Sequence, residues 1–157
     1  MATPKREGIQ IVAVNRHARH DFFIVETFEA GMELKGSEVK SIRNGEINLK
    51  EGYAHIKRNQ LYLEGVHVKP YKYSSVATQE PVRSRRLLMH RKEIDRLDLE
   101  THAKRLTLVP LRVYFKKGRA KIELGLAKGK KAQDKRQSIK KADAQRDIDR
   151  AQKARKR

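Results

Sequence analysis

Cysteine is absent from this 157-residue chain. That excludes a disulfide framework, a thiolate nucleophile and any cysteine-based zinc site, and it fits a reducing cytoplasm. Long apolar runs are missing too. The stretch from Ile9 to Val14 behind the basic start is too short for a signal h-region or a membrane span. The protein is therefore expected to be soluble and intracellular. Apolar residues make up 38% of the chain and charged residues 36%, which is thin for a chain folded throughout. Either the core is small or part of the chain lies outside it. Acidic residues are scarce: 19 Asp and Glu face 38 Lys and Arg, for a formal net charge of +19. Such a charge repels itself in a compact state, so a polyanionic partner is the economical explanation.

Catalytic patterns are lacking as well. Gly125 and Gly129 with Lys128, Lys130 and Lys131 do not follow the GxxxxGK[ST] order of a phosphate-binding loop. His17 and His20 have metal-ligand spacing but sit among Arg16 and Arg19. Those cations oppose a bound dication and favour phosphate or base contact. Glu26, Glu29, Glu33 and Glu38 are the dense acidic group near the front. They spread across a strand end, Gly31 and a helix start, so nothing requires them to converge on a metal. A carboxylate there can instead accept from a guanine or cytosine amino group. His55, His67 and His102 read as surface or part-buried residues. No catalytic residue, metal or cofactor is expected; the chain reads as a binder and not an enzyme.

The charge is unevenly spread. Residues 128–157 hold 13 Lys and Arg and 4 Asp, and every Leu, Phe, Tyr, Met and Val lies at or before Leu126. The segment has two large apolar residues, Ile139 and Ile148, on opposite sides of any helix, and a stripe of Ala144, Ile148 and Ala151 too small to bury much. It has no Pro or Gly after position 129 and is rich in helix formers. Two readings stand. One is an arm disordered when free and helical once a partner neutralises its charge; the other is a solubilising tail. The expected division is a folded body over 1–127 and a basic tail over 128–157.

The body reads mainly as strand. Ile9–Val14, Phe22–Phe28 and Met32–Lys35 are strand candidates, the last two separated at Gly31. Tyr53–Lys57 and Leu61–Val68 flank Arg58-Asn59-Gln60 as a hairpin, and Leu106–Phe115 and Arg119–Ala127 flank Lys116-Lys117-Gly118 as another. Arg85–Met89 is a short basic-apolar strand or helix lead-in. Ile122, Leu124 and Leu126 alternate with Lys121, Glu123 and Gly125, which predicts one buried and one wet face. Pro110 predicts an edge or a bulge. Helices are expected at Ser37–Arg43, capped by Ser37 and stopped by Asn44-Gly45, and at His90–His102, with Ile94 and Leu97 inward. Residues 70–84 read as a loop. Many short strands with a few helices suggest a small closed barrel of OB type.

Arg16, Arg19, Lys40, Arg43, Arg83, Arg85, Arg86, Arg91 and Lys92 cluster near turns and element ends, the usual pattern of RNA contact. A membrane-lying helix needs bulky apolar residues, and the tail has no Trp, Phe or Leu. No two-histidine zinc pattern, basic-zipper heptad or helix-turn-helix points to DNA. A structural ribosomal protein with a basic extension and an RNA-processing enzyme are the alternatives from other classes.

Five segments carry a resemblance. They are Asn15-Arg16-His17-Ala18-Arg19-His20, Glu26-Thr27-Phe28-Glu29-Ala30-Gly31, Gly36-Ser37-Glu38-Val39-Lys40-Ser41-Ile42-Arg43, Arg83-Ser84-Arg85-Arg86-Leu87-Leu88-Met89, and Gly125 to Lys131 with Asp134-Lys135-Arg136. In this order they resemble the SsrA-binding proteins of bacterial trans-translation. The resemblance implies an OB-like barrel with two or three flanking helices. It implies that the body binds the tRNA-like domain of transfer-messenger RNA (tmRNA). It further implies work as a monomer on stalled ribosomes, alongside the elongation factor that carries aminoacyl-tRNA. Asn15, Glu29, Leu88 and His90 fall at the implied tRNA-like-domain surface, with Arg16, Arg43 and Arg86 as neighbours. The tail residues Lys128, Gly129, Lys130, Lys131, Asp134, Lys135 and Arg136 fall in the part that enters the small-subunit decoding region and empty message channel, with Gly129 as pivot. Gln133 stands where relatives often carry a histidine, exchanging a stacking group for a hydrogen-bonding one.

Overall fold

The computed structural model describes residues 8–74 and 80–156. The basic start at 1–7, residues 75–79 of the expected loop and Arg157 lie outside the described residues. The fold is mainly sheet with several helices. Two hairpins follow directly from their turn residues. Strands β4 (Tyr53–Lys57) and β5 (Gln60–Glu64) are joined by Arg58 and Asn59, at φ 50° and 60°. Strands β8 (Thr107–Lys116) and β9 (Arg119–Gly129) are joined by Lys117 and Gly118, at φ 50° and 75°. Two consecutive positive φ values give the tight turn whose twist matches its flanking strands.

Elsewhere tertiary contacts redraw the expected elements. Strand β2 (Phe22–Met32) runs straight through Gly31, where a break was expected. Gly31 pairs with Lys121 of β9 and with Leu88 of β7 (Arg85–Leu88). A Cβ there would lie 3.3 Å from the Leu88 Cβ, so this glycine serves close strand approach and not a turn. The expected strand over 61–68 divides at Gly65, whose φ is +71° and whose Cβ would meet the Glu51 carbonyl oxygen at 2.4 Å. Beyond it, β6 (His67–Val68) pairs with β3 (Ile47–Asn48) as a separate two-stranded sheet. Pro110 marks a bulge: the β8–β9 register shifts between Pro110 and Arg112.

The large sheet has the order β1 (Ile9–Val14), β8, β4, β5, β7, β2, β9, and β9 also pairs with β8. Strand β8 therefore has three partners. Ala54 of β4 pairs at Leu108, and β1 takes over at Arg112, beyond the bulge. The core gathers Ile42, Leu61, Leu63, Leu87, Leu97, Val113, Ile122, Leu124 and Leu126. The one-face alternation of β9 holds as far as Glu123, after which Leu124 to Ala127 are buried on both faces. A second cluster of Ala18, Val109, Leu111 and Ala127, with Phe22 and Ile24 against it, covers the outer face there.

Four helices accompany the strands: α1 (Ala18–Asp21), α2 (Gly36–Arg43), α3 (Arg91–Ala103) and α4 (Ala132–Arg155). Helix α1 is too short to leave a periodic signal. Helix α2 begins at Gly36, one residue before the expected start, so the cap position falls to Lys35 and not Ser37. The Lys35 amide donates to Glu38 Oε1 at 3.0 Å, a carboxylate reaching back over the first turn. Gly45, at φ +77°, ends the helix by donating to the Ile42 carbonyl at 2.9 Å. Ile94 and Leu97 of α3 are buried, as their spacing predicts.

The basic segment differs from expectation in two ways. Strand β9 continues to Gly129, two residues past the expected boundary, with Lys128 opposite Phe23 and Gly129 opposite Phe22. Beyond it the chain is one helix of 24 residues with none buried, where disorder in the free chain was one reading. Local terms account for it. The Lys131 amide donates to Asp134 Oδ2 at 3.2 Å, and Asp143–Arg146 and Asp147–Arg150 pair one turn apart.

Candidate nucleic-acid interface

Three of the expected contact residues share one outer sheet face. Leu88 lies over the bare Cα of Gly31, and Glu29 projects from β2 on the same side, two residues along. Arg86, two residues before Leu88 on β7, reaches Glu33 at 3.7 Å. Leu88 is 49% exposed, a large apolar side chain left in water between two charged ones. His90 follows, exposed at the N-cap of α3. An open recess of about 230 Å³ between Gln60, Arg86, Leu88 and Arg91 adjoins this group.

Glu29 is held by groups that sequence reasoning missed. The Tyr114 hydroxyl donates to Glu29 Oε2, and Lys116 Nζ lies 3.6 Å from Oε1. The Tyr114 hydrogen bond, opposed by burial and aided by Lys116 and Lys121, holds the Glu29 carboxyl below the usual carboxylate range. Burial first, and then Glu29, push the Tyr114 phenol well above its ordinary value. The result is an oriented, ionised acceptor rimmed by lysines. Nothing local marks Tyr114, which sits in the buried run Val113-Tyr114-Phe115, and its partner Glu29 is 85 residues away.

Other expected residues sit elsewhere. Asn15 is buried, and its Nδ2 donates to the Pro110 carbonyl at 3.0 Å and the Leu49 carbonyl at 3.3 Å. Its amide reaches the Leu111 carbonyl at 2.7 Å, so it ties the end of β1 to the β8 bulge. Arg16 is exposed in the turn just after it. Arg43 stacks over the Phe115 ring at 5.0 Å, at the end of α2.

Arg85 corrects its placing among the RNA-facing cations. It is 1% exposed, its Nε donates to Glu38 Oε2 at 2.7 Å, and its other nitrogens reach the carbonyls of Val66, Arg83 and Pro81. Arg83 donates to the other Glu38 oxygen. Burial works against the Glu38 carboxylate, but Arg83, the Lys35 amide and Arg85 outweigh it and hold its carboxyl low. The front carboxylates Glu26, Glu33 and Glu38 thus go to separate cations: Glu26 to Arg96, Glu33 to Arg86 and Glu38 to buried Arg85 and part-buried Arg83. Among the described residues no group of three or more His, Asp or Glu could hold a metal ion.

Two of the tail residues, Lys130 and Lys135, reach α1. The Lys130 amide donates to the Asp21 carbonyl at 2.9 Å, its Nζ to the Arg19 carbonyl and Ser138 Oγ, each at 2.9 Å, and that ammonium lies over Phe23 at 4.8 Å. Lys135 pairs with Asp21 at 3.4 Å. Hydrogen bonding from His20, with help from Lys135, holds the Asp21 carboxyl low. Lys128, Gly129, Lys131 and Arg136 are exposed. Gly129 is not in the left-handed region, and a Cβ there would meet nothing within 4 Å. No helix among the described residues is long and apolar enough to cross a membrane.

The comparisons with known proteins agree over nearly the whole chain. The family model described as SmpB protein matches residues 12–154. The chain belongs to the SmpB family. An SsrA-binding protein of Desulforudis audaxviator is 56% identical over 146 residues, covering 93% of this chain and 95% of that one. One from Acetivibrio thermocellus is 52% identical over 145 residues, covering 92% and 94%. A solved structure described as "tmRNA-SmpB: a journey to the center of the bacterial ribosome" is 46% identical, with a TM-score of 0.66, covering 81% of this chain and 93% of that one. SmpB membership thus agrees with the five resembling segments, two of which, at Glu26–Gly31 and Arg83–Met89, supply the shared outer face.

Proposed function

We propose that this chain binds tmRNA and carries it to stalled ribosomes in trans-translation, as an adaptor and not a catalyst. Two features of the molecule divide the work. The body grips the tRNA-like domain through Glu29, Leu88, Arg86 and His90, with Arg16 and Arg43 as further cations away from that face. The tail, from Lys128 through Arg136, enters the decoding region and the empty message channel in the cytoplasmic ribosome, in the complex that also holds the elongation factor. The observation that carries this reading is the outer face around Gly31, where an oriented carboxylate, an exposed leucine and a half-exposed arginine stand side by side. A carboxylate reads base amino groups, an exposed apolar side chain packs on an unstacked base, and arginine takes phosphate. Asn15 lies apart from that face and fixes the end of β1 to the bulge.

The pairing circuit β8-β4-β5-β7-β2-β9-β8 supports a closed barrel of OB type, with β1 as an outer extension. The tail helix has no buried residue, so we read it as fraying in the free chain and firm once RNA walls neutralise it. Its docking through Lys130 and Lys135 then marks a resting position on α1.

Filter binding of tmRNA tests the body. Glu29→Gln and Leu88→Ala are each expected to weaken affinity about 5- to 150-fold, the range of one good base contact, with unfolding curves unchanged. Unaltered affinity in both would overturn the assignment of this face. Deleting residues 132–157 leaves β9 and Lys130 intact. It is expected to preserve tmRNA binding and abolish tagging of nascent chains on stalled ribosomes; loss of tmRNA binding would overturn the division of labour.

A further inference from the structure

Beside the Arg86–Leu88 edge, the outer face of β4, β5 and β7 carries a row of rings. His55 pairs directly opposite Tyr62, and Tyr62 directly opposite Arg86. The His55 and Tyr62 rings lie 5.9 Å apart at 29°, and Tyr53 and His55 lie 6.2 Å apart at 35°. Tyr53 is 49% exposed, while the alternate residues Ala54, Leu61 and Leu63 are buried. These rings are thus the wet side of a hairpin whose other side is core, and two of the chain's five tyrosines are spent there. The charge around them is cationic: Lys57 and Arg58 are exposed at the hairpin end and Arg86 at the other side. Of the carboxylates near the rings, Glu64 is engaged by Ser84 Oγ at 2.6 Å and His55 Nε2 at 3.0 Å, and Asp98, which lines a recess with Tyr53 and His55, lies 3.2 Å from His102 Nδ1.

We propose that Tyr53, His55 and Tyr62 form a stacking shelf for unpaired bases of tmRNA's tRNA-like domain, with Arg86 on the phosphate beside them. This rests on the tmRNA reading above and extends that interface by two strands. Near-parallel, part-exposed rings flanked by cations are what unstacked bases pack on, because every base offers a π-face. A hydrogen bond fixes the middle ring of the row: His55 Nε2 is tied to Glu64 Oε1 at 3.0 Å. Among the described residues Arg86 makes a 3.7 Å pairing with exposed Glu33, which a phosphate can displace.

The test uses the full chain, a tmRNA transcript and paired substitutions at each tyrosine. Tyr53→Leu and Tyr62→Leu keep apolar bulk and remove the ring; each is expected to weaken binding about 5- to 150-fold. Tyr53→Phe and Tyr62→Phe keep the ring and are expected to bind as the parent does. The leucine variants should leave the slope of log affinity against log salt unchanged, whereas Arg86→Gln should reduce it by about 1. Full affinity in both leucine variants, with Glu29→Gln still weakened, overturns the shelf and leaves the interface standing. If Glu29→Gln also binds normally, both readings fall. Loss confined to ribosome binding, with tmRNA affinity intact, likewise overturns the shelf. Should Tyr62→Leu unfold, the more exposed Tyr53 pair decides.

Discussion

Glu38 and Arg85 stand 47 residues apart in the chain and meet with 3% and 1% of their surfaces exposed. By residue type and neighbours, one reads as a solvated helix start and the other as an RNA-facing cation. Their roles are set by a contact that no local pattern announces. Removing one partner of such a pair leaves a buried charge without compensation, at about 3–5 kcal/mol. Glu38→Gln is therefore expected to lower the urea midpoint by that much stability with the slope unchanged. The pair also sets a pH dependence. Because the folded state holds the Glu38 carboxyl below its ordinary value of 4.5, its contribution is complete above that value and is lost as pH falls through the lower, folded one. Acid unfolding curves should show this loss in the parent and a flatter profile in the variant. Asn15 teaches the same lesson: the resemblance points to an RNA surface, and the fold turns its side chain onto two backbone carbonyls.

At the scale of elements, local chemistry and tertiary demand part ways at the glycines and at the tail. The two tight hairpins were legible because their turn residues act within four positions. The run through Gly31 and the break at Gly65 were not, because Leu88 in one case and Glu51 in the other make the space requirement. Gly65→Ala should destabilise the body by at least about 1–3 kcal/mol, since the site combines positive φ with a backbone oxygen in the way; denaturant titration reads this directly. Helix α4 is the opposite case: it buries no residue, and apart from the Lys135–Asp21 pair its support comes from its own sequence. A peptide of residues 128–157 is expected to be partly helical by circular dichroism in the cold, and more so with a polyanion present. A peptide without helix under both conditions would contradict that.

For the whole molecule the governing quantity is the +19 charge. Binding of tmRNA by the full chain should weaken with salt, log affinity falling against log salt by roughly 0.7 to 0.9 per phosphate contact. Removing residues 132–157 takes away much of the basic excess, yet a slope set by the body's own contacts should change little. A slope that collapses on truncation would mean that the tail holds tmRNA.

Much of this protein was legible in the sequence alone: the excess of positive charge, the strand-rich body, the hairpins, the run from Lys128 without large apolar residues other than two isoleucines, and the family. Each depends on composition, on a short repeat or on a run of residues, all of which act over a few positions. The tertiary structure alone decided which charged groups are buried and which face water. It paired β2 with β9 and β4 with β8, turned Arg85 and Asn15 inward, aimed Glu29 with Tyr114, and set Tyr53, His55 and Tyr62 in a row with Arg86. The physical reason is distance along the chain. A sheet brings together side chains from strands far apart in sequence, and whether a polar group keeps or loses its water is known only once all of them have met.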